Sequence, residues 1–580
     1  MKEEKGVFET FDGVSLVYRA WRPEQISERA IVLIHRGHEH SGRLRAVAEY
    51  FVRKGYTCFA YDSRGHGESP GPRGYCDDFS QLVKDLDVFV SYVTDKYSFD
   101  SSNVTILANS VGSVVASTWI HDYAPAVRGM VLVAPAFNIK LYVPFALAGL
   151  KIMQLFKRPI FIKSYVKSRL LTHDVEEQKK YDTDPLITKD IAANVLLSLF
   201  STAKRVVQDA GVIETPTLIL SAGSDWVVHL KDQKRFFDNL SSKNKEMVVY
   251  PGFYHGVLYE KERDVALTKI SDFLDDLYAR ESDRPSLLDQ DTQGYTKNEY
   301  DVLNGRRSFI KKGFYGLAKL NMATIGRLGR GISIGEQYGY DSGLSLDHVY
   351  KNKAEGVTFV GRMMDRMYLD AVGWKGIRVR KQHLQKMIDE AVDELLSANK
   401  PVRILDIASG PGRYLLEKAV KLQGKDVEIV LCDNAEANVV EGKKIADGLG
   451  CTNVTFRLHD AFDADGYAEL AIKPNLIIIS GLYELFSDNT MVLRSISGIR
   501  SIAADDCSIV YTGQPWHPQL EFIAYTLTNR LGKPWIMRRR SQAELDQLFQ
   551  HEGFKKQDME IDTWGIFTVS RAKFTADNQR

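Results

Sequence analysis

Short apolar runs alternate with longer amphipathic segments through the first 280 residues. The runs occupy residues 31–34, 56–61, 104–107, 130–133 and 217–220. A strand that is buried on both faces needs apolar residues at consecutive positions, so such runs separated by helices are typical of a parallel sheet covered by helices. The pattern predicts an α/β domain over residues 1–280, interrupted by an insertion at about 137–205.

A second alternation of the same kind begins near residue 402. Its apolar runs occupy residues 402–407, 427–431, 454–456, 476–479 and 508–511, and an amphipathic helix over about 378–399 precedes them. Residues 281–298 are polar and poor in apolar positions, which is typical of a linker. The sequence therefore predicts a linker at 281–298, a connecting arm at 299–375 and a second α/β domain at 376–580.

Composition narrows the classes of protein and of partner. The 580 residues are 44% hydrophobic and 26% charged, with a formal net charge of +1, so no global basic field favours nucleic acid. Five cysteines without a C-x-x-C pair indicate neither a disulfide framework nor a metal site, and a reducing compartment is expected. The charged start has no signal-peptide pattern, so we expect a cytoplasmic protein without a metal.

Three residues in the first domain have the order of a serine-hydrolase triad. Ser110 follows the run 104–107, with small residues two positions before and after it, as a nucleophile elbow requires. Asp225 and His255 follow later apolar runs, and strand ends are where loops reach the active site of such a sheet. The order serine, acid, histidine predicts nucleophilic catalysis by Ser110, with His255 as base and Asp225 orienting it.

These residues, with the strings at 35–43, 61–69 and 182–186, resemble the monoacylglycerol lipase and lysophospholipase branch of the α/β-hydrolases. The resemblance implies a capped α/β-hydrolase fold, a lipid or acyl-ester substrate, and an oxyanion hole formed by the backbone N–H groups of Gly37 and Val111. Where this family has glycines, Arg36 and His38 stand here, and glycines permit backbone conformations that other residues adopt only with strain. A degenerate hydrolase domain that binds lipid or acts as a scaffold therefore stays an alternative. So does an acyltransferase that uses the same triad with an alcohol in place of water.

The first run of the second domain contains Asp406 near its end and is followed by a loop with small residues at Ala408, Gly410 and Gly412. Small residues let the backbone approach a ligand at the carboxyl edge of a doubly wound sheet. Leu415 stands where a dinucleotide fingerprint has a small residue, which disfavours NAD.

The loop resembles motif I of class I methyltransferases that use S-adenosyl-L-methionine, and the chain as a whole resembles hydrolase-methyltransferase fusions. The resemblance implies a Rossmann-like class I fold in which Asp406, Ala408, Gly410 and Gly412 border the cofactor. It also implies that Asp433 binds the ribose and that Asp460 and Ala461 hold the adenine.

Two polar residues after the fourth and fifth runs, Glu484 and His517, are candidates for the methyl-acceptor side. A purely structural role for each is the alternative. Ser541 and Glu544 form a capping box, which predicts a helix through about residue 550.

Basic and apolar residues are interleaved in two segments. Residues 305–335 contain seven cations and no acid before Glu336, and the insertion has a similar mixture beside the apolar stretch 145–150. The cations are Arg306, Arg307, Lys311, Lys312, Lys319, Arg327 and Arg330 in the arm, and Lys140, Lys151, Lys157, Arg158, Lys163 and Lys167 in the insertion. Such mixtures are typical of contact with an anionic membrane surface. Nucleic-acid binding by the arm and simple packing of both segments on the domains are the alternatives.

Overall fold

The computed structural model describes residues 1–25, 27–154, 159–281, 284–305, 309–356 and 358–574. Contacts divide the chain into two compact units, Met1–Pro285 and Ser286–Arg580. This division does not test the boundaries of the domains, linker and arm that the sequence predicts, and they remain predictions. Of the basic residues named above, Lys157, Arg158, Arg306 and Arg307 lie outside the described residues.

The first unit is built on an eight-stranded, mainly parallel sheet. Its strands, with the two-stranded ribbon of the insertion, are β1 (Lys2–Glu9), β2 (Ser15–Arg22), β3 (Ala30–Ile34), β4 (Thr57–Tyr61), β5 (Val104–Asn109), β6 (Gly129–Val133), β7 (Phe161–Lys163), β8 (Asp190–Ala192), β9 (Thr217–Ala222) and β10 (Lys245–Tyr250). The sheet order is β1-β2-β4-β3-β5-β6-β9-β10, and β1 and β2 pair in the antiparallel direction. The central strands are buried at every position, which is why their sequences are continuous apolar runs.

Eight helices belong to the first unit among the residues that the structure describes. They are α1 (Arg45–Arg53), α2 (Phe79–Tyr97), α3 (Val111–Tyr123), α4 (Ala146–Met153), α5 (Val175–Thr183), α6 (Ala193–Gln208), α7 (Leu230–Asn239) and α8 (Arg263–Ala279). The segment from α4 to α6 with the ribbon β7-β8 lies between β6 and β9, and we call it the cap. Its own small apolar core includes Leu150, Ala193 and Leu196.

The second unit contains a seven-stranded sheet with the order β13-β12-β11-β14-β15-β17-β16. The strands are β11 (Val402–Ile407), β12 (Val427–Asp433), β13 (Val454–Leu458), β14 (Leu476–Ile479), β15 (Ser508–Gly513), β16 (Phe554–Ile561) and β17 (Thr568–Phe574). The helices are α9 (Tyr295–Asn304), α10 (Phe309–Ala323), α11 (Arg330–Tyr338), α12 (Gly343–Lys351), α13 (Phe359–Leu369), α14 (Val372–Ser397), α15 (Arg413–Ala419), α16 (Glu436–Leu449), α17 (Asn489–Ile502), α18 (Leu520–Thr526) and α19 (Gln542–His551). The expectation of two α/β folds is confirmed.

Helices cover both faces of the second sheet. Leu384 and Ile388 of α14 pack with Ile404 on one face, and Ile496 of α17 packs with Ile477 on the other. The predicted amphipathic helix begins at Val372, six residues earlier than its apolar spacing indicated. The N-cap predicted at Ser541 is confirmed, because its side chain accepts a hydrogen bond from the Glu544 N–H.

A helical segment over α11, α12 and α13 precedes this sheet, and one buried carboxylate fixes it. Asp365 of α13 accepts hydrogen bonds from the backbone N–H groups of Gly331 at 2.6 Å and Glu355 at 2.8 Å. His348 of α12 lies 3.1 Å from the same carboxylate. A buried carboxylate with several donors is stable only when all of them stay in place, so Asp365 holds the three helices in one arrangement.

Among the helices of the described ranges, none is both long and apolar enough to cross a membrane.

Candidate functional sites

Ser110 lies in a sharp turn between β5 and α3 in the first unit. Its backbone has φ 56°, in the left-handed region, and its N–H donates to the Val133 carbonyl oxygen at 2.8 Å. Gly112 makes the close approach of α3 to β3 possible, since a Cβ there would come within 2.7 Å of the His35 carbonyl oxygen. The turn therefore holds the Ser110 side chain at the carboxyl end of the sheet.

The structure brings Asp225 and His255 to this serine. His255 Nε2 lies 2.8 Å from Ser110 Oγ, and His255 Nδ1 lies 2.8 Å from Asp225 Oδ2. The other Asp225 oxygen accepts the N–H groups of Val227 and Val228. Burial raises the pKa of Asp225, but His255 and these two amides outweigh it and hold the pKa below its ordinary value. Asp225 is thus an ionised acceptor that orients the His255 ring.

Gly37 and Val111 lie in the wall of the cavity that contains Ser110. Within the described part of the chain, neither backbone N–H donates to another protein group. Two uncommitted N–H groups beside a nucleophile are the donors that an oxyanion needs.

The loop around Gly37 accommodates Arg36 and His38 in different ways. His38 adopts φ 72°, the left-handed conformation for which glycine is suited, whereas the φ of Arg36 is not positive. The Arg36 side chain is buried, pairs with Glu39 at 2.7 Å and lies over the Tyr259 ring. Of the two replacements, His38 alone places a side chain on a left-handed backbone.

A cavity of about 520 Å³ extends from Ser110 beneath the cap. Its wall is mostly apolar and includes Leu141, Leu150, Met153, Ile162, Leu196 and Leu199. Beside it, Phe145 at the start of α4 is 88% exposed and Val143 is 68% exposed. An apolar cavity with apolar residues at its rim fits a long acyl chain better than a polar substrate.

The second unit has a cleft where the carboxyl ends of β11, β12 and β14 meet. The order of strands reverses at β11, and in doubly wound sheets such a reversal opens a ligand crevice. Ala408 adopts φ 55°, and Gly410 and Gly412 have φ 58° and 70°. A Cβ at Gly412 would lie 2.3 Å from the Leu431 side chain, so the loop passes close to β12. We call this cleft the cofactor cleft.

The predicted cofactor residues lie in the wall of this cleft with one difference. Ala408, Gly410, Gly412, Asp433, Asp460 and Ala461 line it, with Phe462 and Phe486 in edge contact. Asp406 does not line it, since its carboxyl lies beneath the loop and accepts the Tyr414 hydroxyl. Burial raises the pKa of Asp406 to about 8, although Tyr414 donates to it, so this carboxyl is largely neutral at pH 7.

Asp433 organises the cofactor cleft. Its Oδ2 accepts the Gly410 N–H at 2.9 Å, and its Oδ1 accepts the Ala435 N–H and the Asn438 amide. A carboxylate has about four acceptor positions, so the three bonds leave capacity for a ligand hydroxyl. Asn438 had no distinguishing signal in the sequence, because a polar residue in the first turn of a helix is common.

Glu484 and His517 line a second, more apolar cavity of about 130 Å³, which we call the inner cavity. It shares Asp341, Leu346, Gly481 and Leu485 with the cofactor cleft. Arg380 of α14 and Gln514 after β15 also line it, and neither was predicted. Gln514 could have been predicted as a cavity residue only because it follows a strand, and the ends of parallel strands converge. Arg380 could not have been predicted, because the sequence shows only that it lies on an amphipathic helix.

Comparison with known proteins agrees with the two folds. The family model described as "Putative methyltransferase" matches residues 270–574, more than half of the chain. The model described as "Serine aminopeptidase, S33" matches residues 25–262. The chain is therefore a two-domain enzyme, with an α/β-hydrolase domain followed by a methyltransferase domain.

Individual relatives cover either the whole chain or the first domain. The Escherichia coli (strain K12) protein YnbC is 42% identical over 570 residues, which is 97% of each chain. A monoacylglycerol lipase of Mycolicibacterium smegmatis is 26% identical over 264 residues, 45% of this chain and 93% of the lipase. Human monoglyceride lipase is 27% identical over 257 residues, 44% of this chain and 84% of the lipase. The chain belongs to the methyltransferase family that its carboxy-terminal half matches, and shares its two-domain organisation with YnbC.

The left-handed backbone at His38 predicts an unusual response to substitution. A left-handed L-residue costs about 1–2 kcal/mol and glycine in the chain costs roughly 0.5–1 kcal/mol, so His38→Gly should leave stability unchanged or slightly raised. His38→Val should lower it, because a β-branched residue is the least suited to positive φ. Thermal unfolding midpoints of both variants test this. A larger loss of stability with glycine than with valine would contradict a left-handed conformation at this position.

Proposed function

We propose that the first domain hydrolyses a lipid or other acyl ester through Ser110, His255 and Asp225. The observation that carries the proposal is the pair of 2.8 Å contacts by which His255 joins Ser110 to Asp225. Ser110 Oγ attacks the ester carbonyl while its proton passes to His255 Nε2. The N–H groups of Gly37 and Val111 stabilise the oxyanion, and such donors are worth several kcal/mol.

Collapse of the tetrahedral intermediate breaks the bond to the alcohol, which leaves with the proton from His255. Water then attacks the acyl-serine and gives its proton to His255, which returns a proton to Ser110 Oγ as the acid is released. The long apolar cavity supports an acyl chain as substrate, and a relative named monoacylglycerol lipase supports an ester of this kind. An alcohol in place of water would make the same residues an acyltransferase.

We propose that the second domain transfers a methyl group from S-adenosyl-L-methionine. The residues of the cofactor cleft fit this molecule: Asp433 retains acceptor capacity for ribose hydroxyls, and Phe462 and Phe486 offer an apolar wall for adenine beside Ala461 and Asp460. The buried His459 Nε2 in this wall has no partner among the described residues. When bound, the cofactor supplies an electrophilic methyl group, and the protein's contribution is to position the acceptor.

We propose, third, that the protein contacts an anionic lipid surface through α10. No described residue of this helix is buried, and Phe309, Ile310 and Phe314 are 91%, 83% and 68% exposed. Tyr315 and Met322, on another side of the helix, pack on the rest of the unit. Lys312 and Lys319 are exposed as well, so the helix combines a free apolar face with cations, as interfacial helices do.

The triad predicts that Ser110→Ala abolishes both labelling by a fluorophosphonate probe and hydrolysis of short-chain esters. Loss of a triad nucleophile lowers turnover by up to ~10⁶-fold. Labelling should be followed by mass spectrometry of the tryptic peptide that contains residue 110.

The exposed Ser91 of α2 provides a control, since Ser91→Ala should label like the natural protein. Asp225→Asn should keep the fold and lower turnover by a factor on the order of 10⁴, through loss of histidine orientation. Undiminished hydrolysis in Ser110→Ala would remove the triad assignment. Appearance of an acylated alcohol when glycerol is added would favour acyl transfer over hydrolysis.

The cofactor proposal predicts calorimetric binding of S-adenosylmethionine or S-adenosylhomocysteine, with no comparable signal from NAD. Asp433→Ala should weaken binding about 10- to 150-fold, because a hydrogen bond to a charged group contributes about 1.5–3 kcal/mol. Asp447→Ala, an exposed acid on α16, is the matched control and should bind normally. Tight NAD binding without S-adenosylmethionine binding would overturn the proposal.

The surface proposal predicts flotation of the protein with phosphatidylglycerol vesicles and much weaker flotation with phosphatidylcholine vesicles. The double variant Phe314→Glu, Leu317→Glu should reduce binding at least 10-fold, since each apolar side chain contributes about 1.5–3 kcal/mol when buried. Leu449→Glu, at an exposed leucine of α16, should bind like the natural protein. Equal flotation of both glutamate variants would contradict a role for α10.

A further inference from the structure

The inner cavity of the second domain holds buried polar atoms that the fold itself leaves without partners. Glu484 lies in the turn Tyr483–Leu485 after β14, and its Oε1 accepts the Thr512 hydroxyl at 2.9 Å. Its Oε2 has no hydrogen-bond partner among the described residues, and the same is true of Gln514 Nε2. Both side chains are less than 10% exposed.

A buried polar atom without a partner destabilises the fold, because it has lost its hydrogen bonds to water and gained none in the protein. Glu484 Oε2 is an acceptor and Gln514 Nε2 is a donor, and both residues line one cavity. They therefore point to a ligand that forms a hydrogen bond with each of them.

His517 adds a second donor to the same wall. The backbone N–H of Gln519 donates to His517 Nδ1 at 3.0 Å, so Nδ1 carries no proton. Burial lowers the pKa of His517 to about 4, and the ring is neutral at pH 7 with its one proton on Nε2. This tautomer makes His517 a hydrogen-bond donor and not a base.

Gly373 of α14 lines the cavity next to this donor. A Cβ at position 373 would lie 2.9 Å from His517 Nε2. The missing side chain therefore leaves the His517 Nε2–H accessible to a ligand.

Most of the remaining wall is apolar and aromatic, although Tyr368 and Trp535 each add a polar atom that has no partner among the described residues. It includes Trp374, Phe522, Ile523, Leu527, Trp535, Met537 and Phe567. Three charged side chains line the cavity: Arg380, Glu484 and Asp341. Arg380 is 3% exposed and its Nη1 lies 3.6 Å from Glu484 Oε1, while an Asp341 oxygen accepts the Arg530 backbone N–H at 2.6 Å. A cationic ligand would face Arg380, and a carboxylate ligand would face Glu484 and Asp341, so a neutral ligand avoids both repulsions.

A hydroxyl group can complete Glu484, Gln514 and His517 together. Its hydrogen can be donated to Glu484 Oε2, and its oxygen can accept from Gln514 and His517. We infer that the inner cavity binds the methyl acceptor and that this acceptor is an apolar molecule, aromatic or lipid-like, whose hydroxyl oxygen is methylated. The inference rests on the proposed methyltransferase function and names the substrate class of that site.

The position of the cavity fits this role, because Gly481 and Leu485 border both it and the cofactor cleft. Methylation by a sulfonium donor replaces the O–H bond of the hydroxyl by an O–CH₃ bond and leaves the donor as a neutral thioether. One proton is released, and the unpartnered oxygen of Glu484 accepts it. Gln514 and His517 orient the oxygen through its lone pairs.

Binding of 4-octylphenol to the full-length protein, without cofactor, tests the site separately from activity. Fluorescence of the lining residues Trp374 and Trp535 should change on binding. We expect 4-octylanisole, in which the hydrogen is replaced by methyl, to bind at least 10-fold more weakly, and 4-octylbenzoate and 4-octylaniline also to bind more weakly. Calorimetry with S-adenosylmethionine is run in parallel.

Two substitutions test the assigned roles. Glu484→Gln keeps a hydrogen-bonding oxygen but cannot take the proton, so 4-octylphenol affinity should change by less than about 5-fold while transfer of methyl to it falls about 10²- to 10⁴-fold. Gly373→Ala should weaken 4-octylphenol binding at least 10-fold and leave S-adenosylmethionine binding intact. Glu469→Gln, at an exposed glutamate, is the matched control for both measurements.

The measurements test the hydroxyl acceptor separately from the binding of S-adenosylmethionine. S-adenosylmethionine binding together with equal affinities for the phenol and the anisole, or with tighter binding of the benzoate or the aniline, would overturn the hydroxyl assignment and leave the methyltransferase proposal in place. Unchanged phenol binding in Gly373→Ala would remove the acceptor from this cavity. Absence of S-adenosylmethionine binding would overturn both.

Discussion

Both candidate sites depend on a non-glycine residue held in the left-handed region directly after a central parallel strand. Ser110 follows β5 with φ 56°, and Ala408 follows β11 with φ 55°. Such a residue costs about 1–3 kcal/mol, and it persists because packing around it fixes the turn. At Ser110 the close contact of Gly112 with the end of β3 supplies that packing, and at Ala408 the approach of Gly412 to Leu431 supplies it.

The sharp turns matter because parallel strands end at one edge of a sheet. Ser110 and His255 are 145 residues apart in the chain and meet there within 2.8 Å. In the second sheet the same geometry brings the end of β12, with Asp433, to the loop after β11, where Asp433 accepts the Gly410 N–H. One backbone constraint thus gives both domains a site whose residues come from successive strand ends.

This constraint also explains which features the sequence could predict. Continuous apolar runs indicated the central strands, because a strand buried on both faces has mostly apolar residues, and the capping box indicated α19. Ser110, Asp225 and His255 each follow an apolar run, and their convergence was predicted because parallel strands end at the same edge of a sheet. Asp406 was different: it belongs to the motif by sequence, yet it lies beneath the loop against Tyr414, which only the three-dimensional path of the chain decides.

The residues between 299 and 375 show where sequence patterns stop being informative. Their interleaved basic and apolar positions are compatible with a connector, a surface helix or a nucleic-acid-binding arm, because amphipathicity does not say which surface covers the apolar side. In the structure the segment divides by what its side chains contact. Tyr368 and Leu346 reach the inner cavity, Asp347 pairs with Arg413 beside the cofactor cleft, and Phe309 and Ile310 stay exposed. The helical segment thus contributes residues to the walls of both cavities of the methyltransferase unit, whereas Phe309 and Ile310 of α10 line neither cavity.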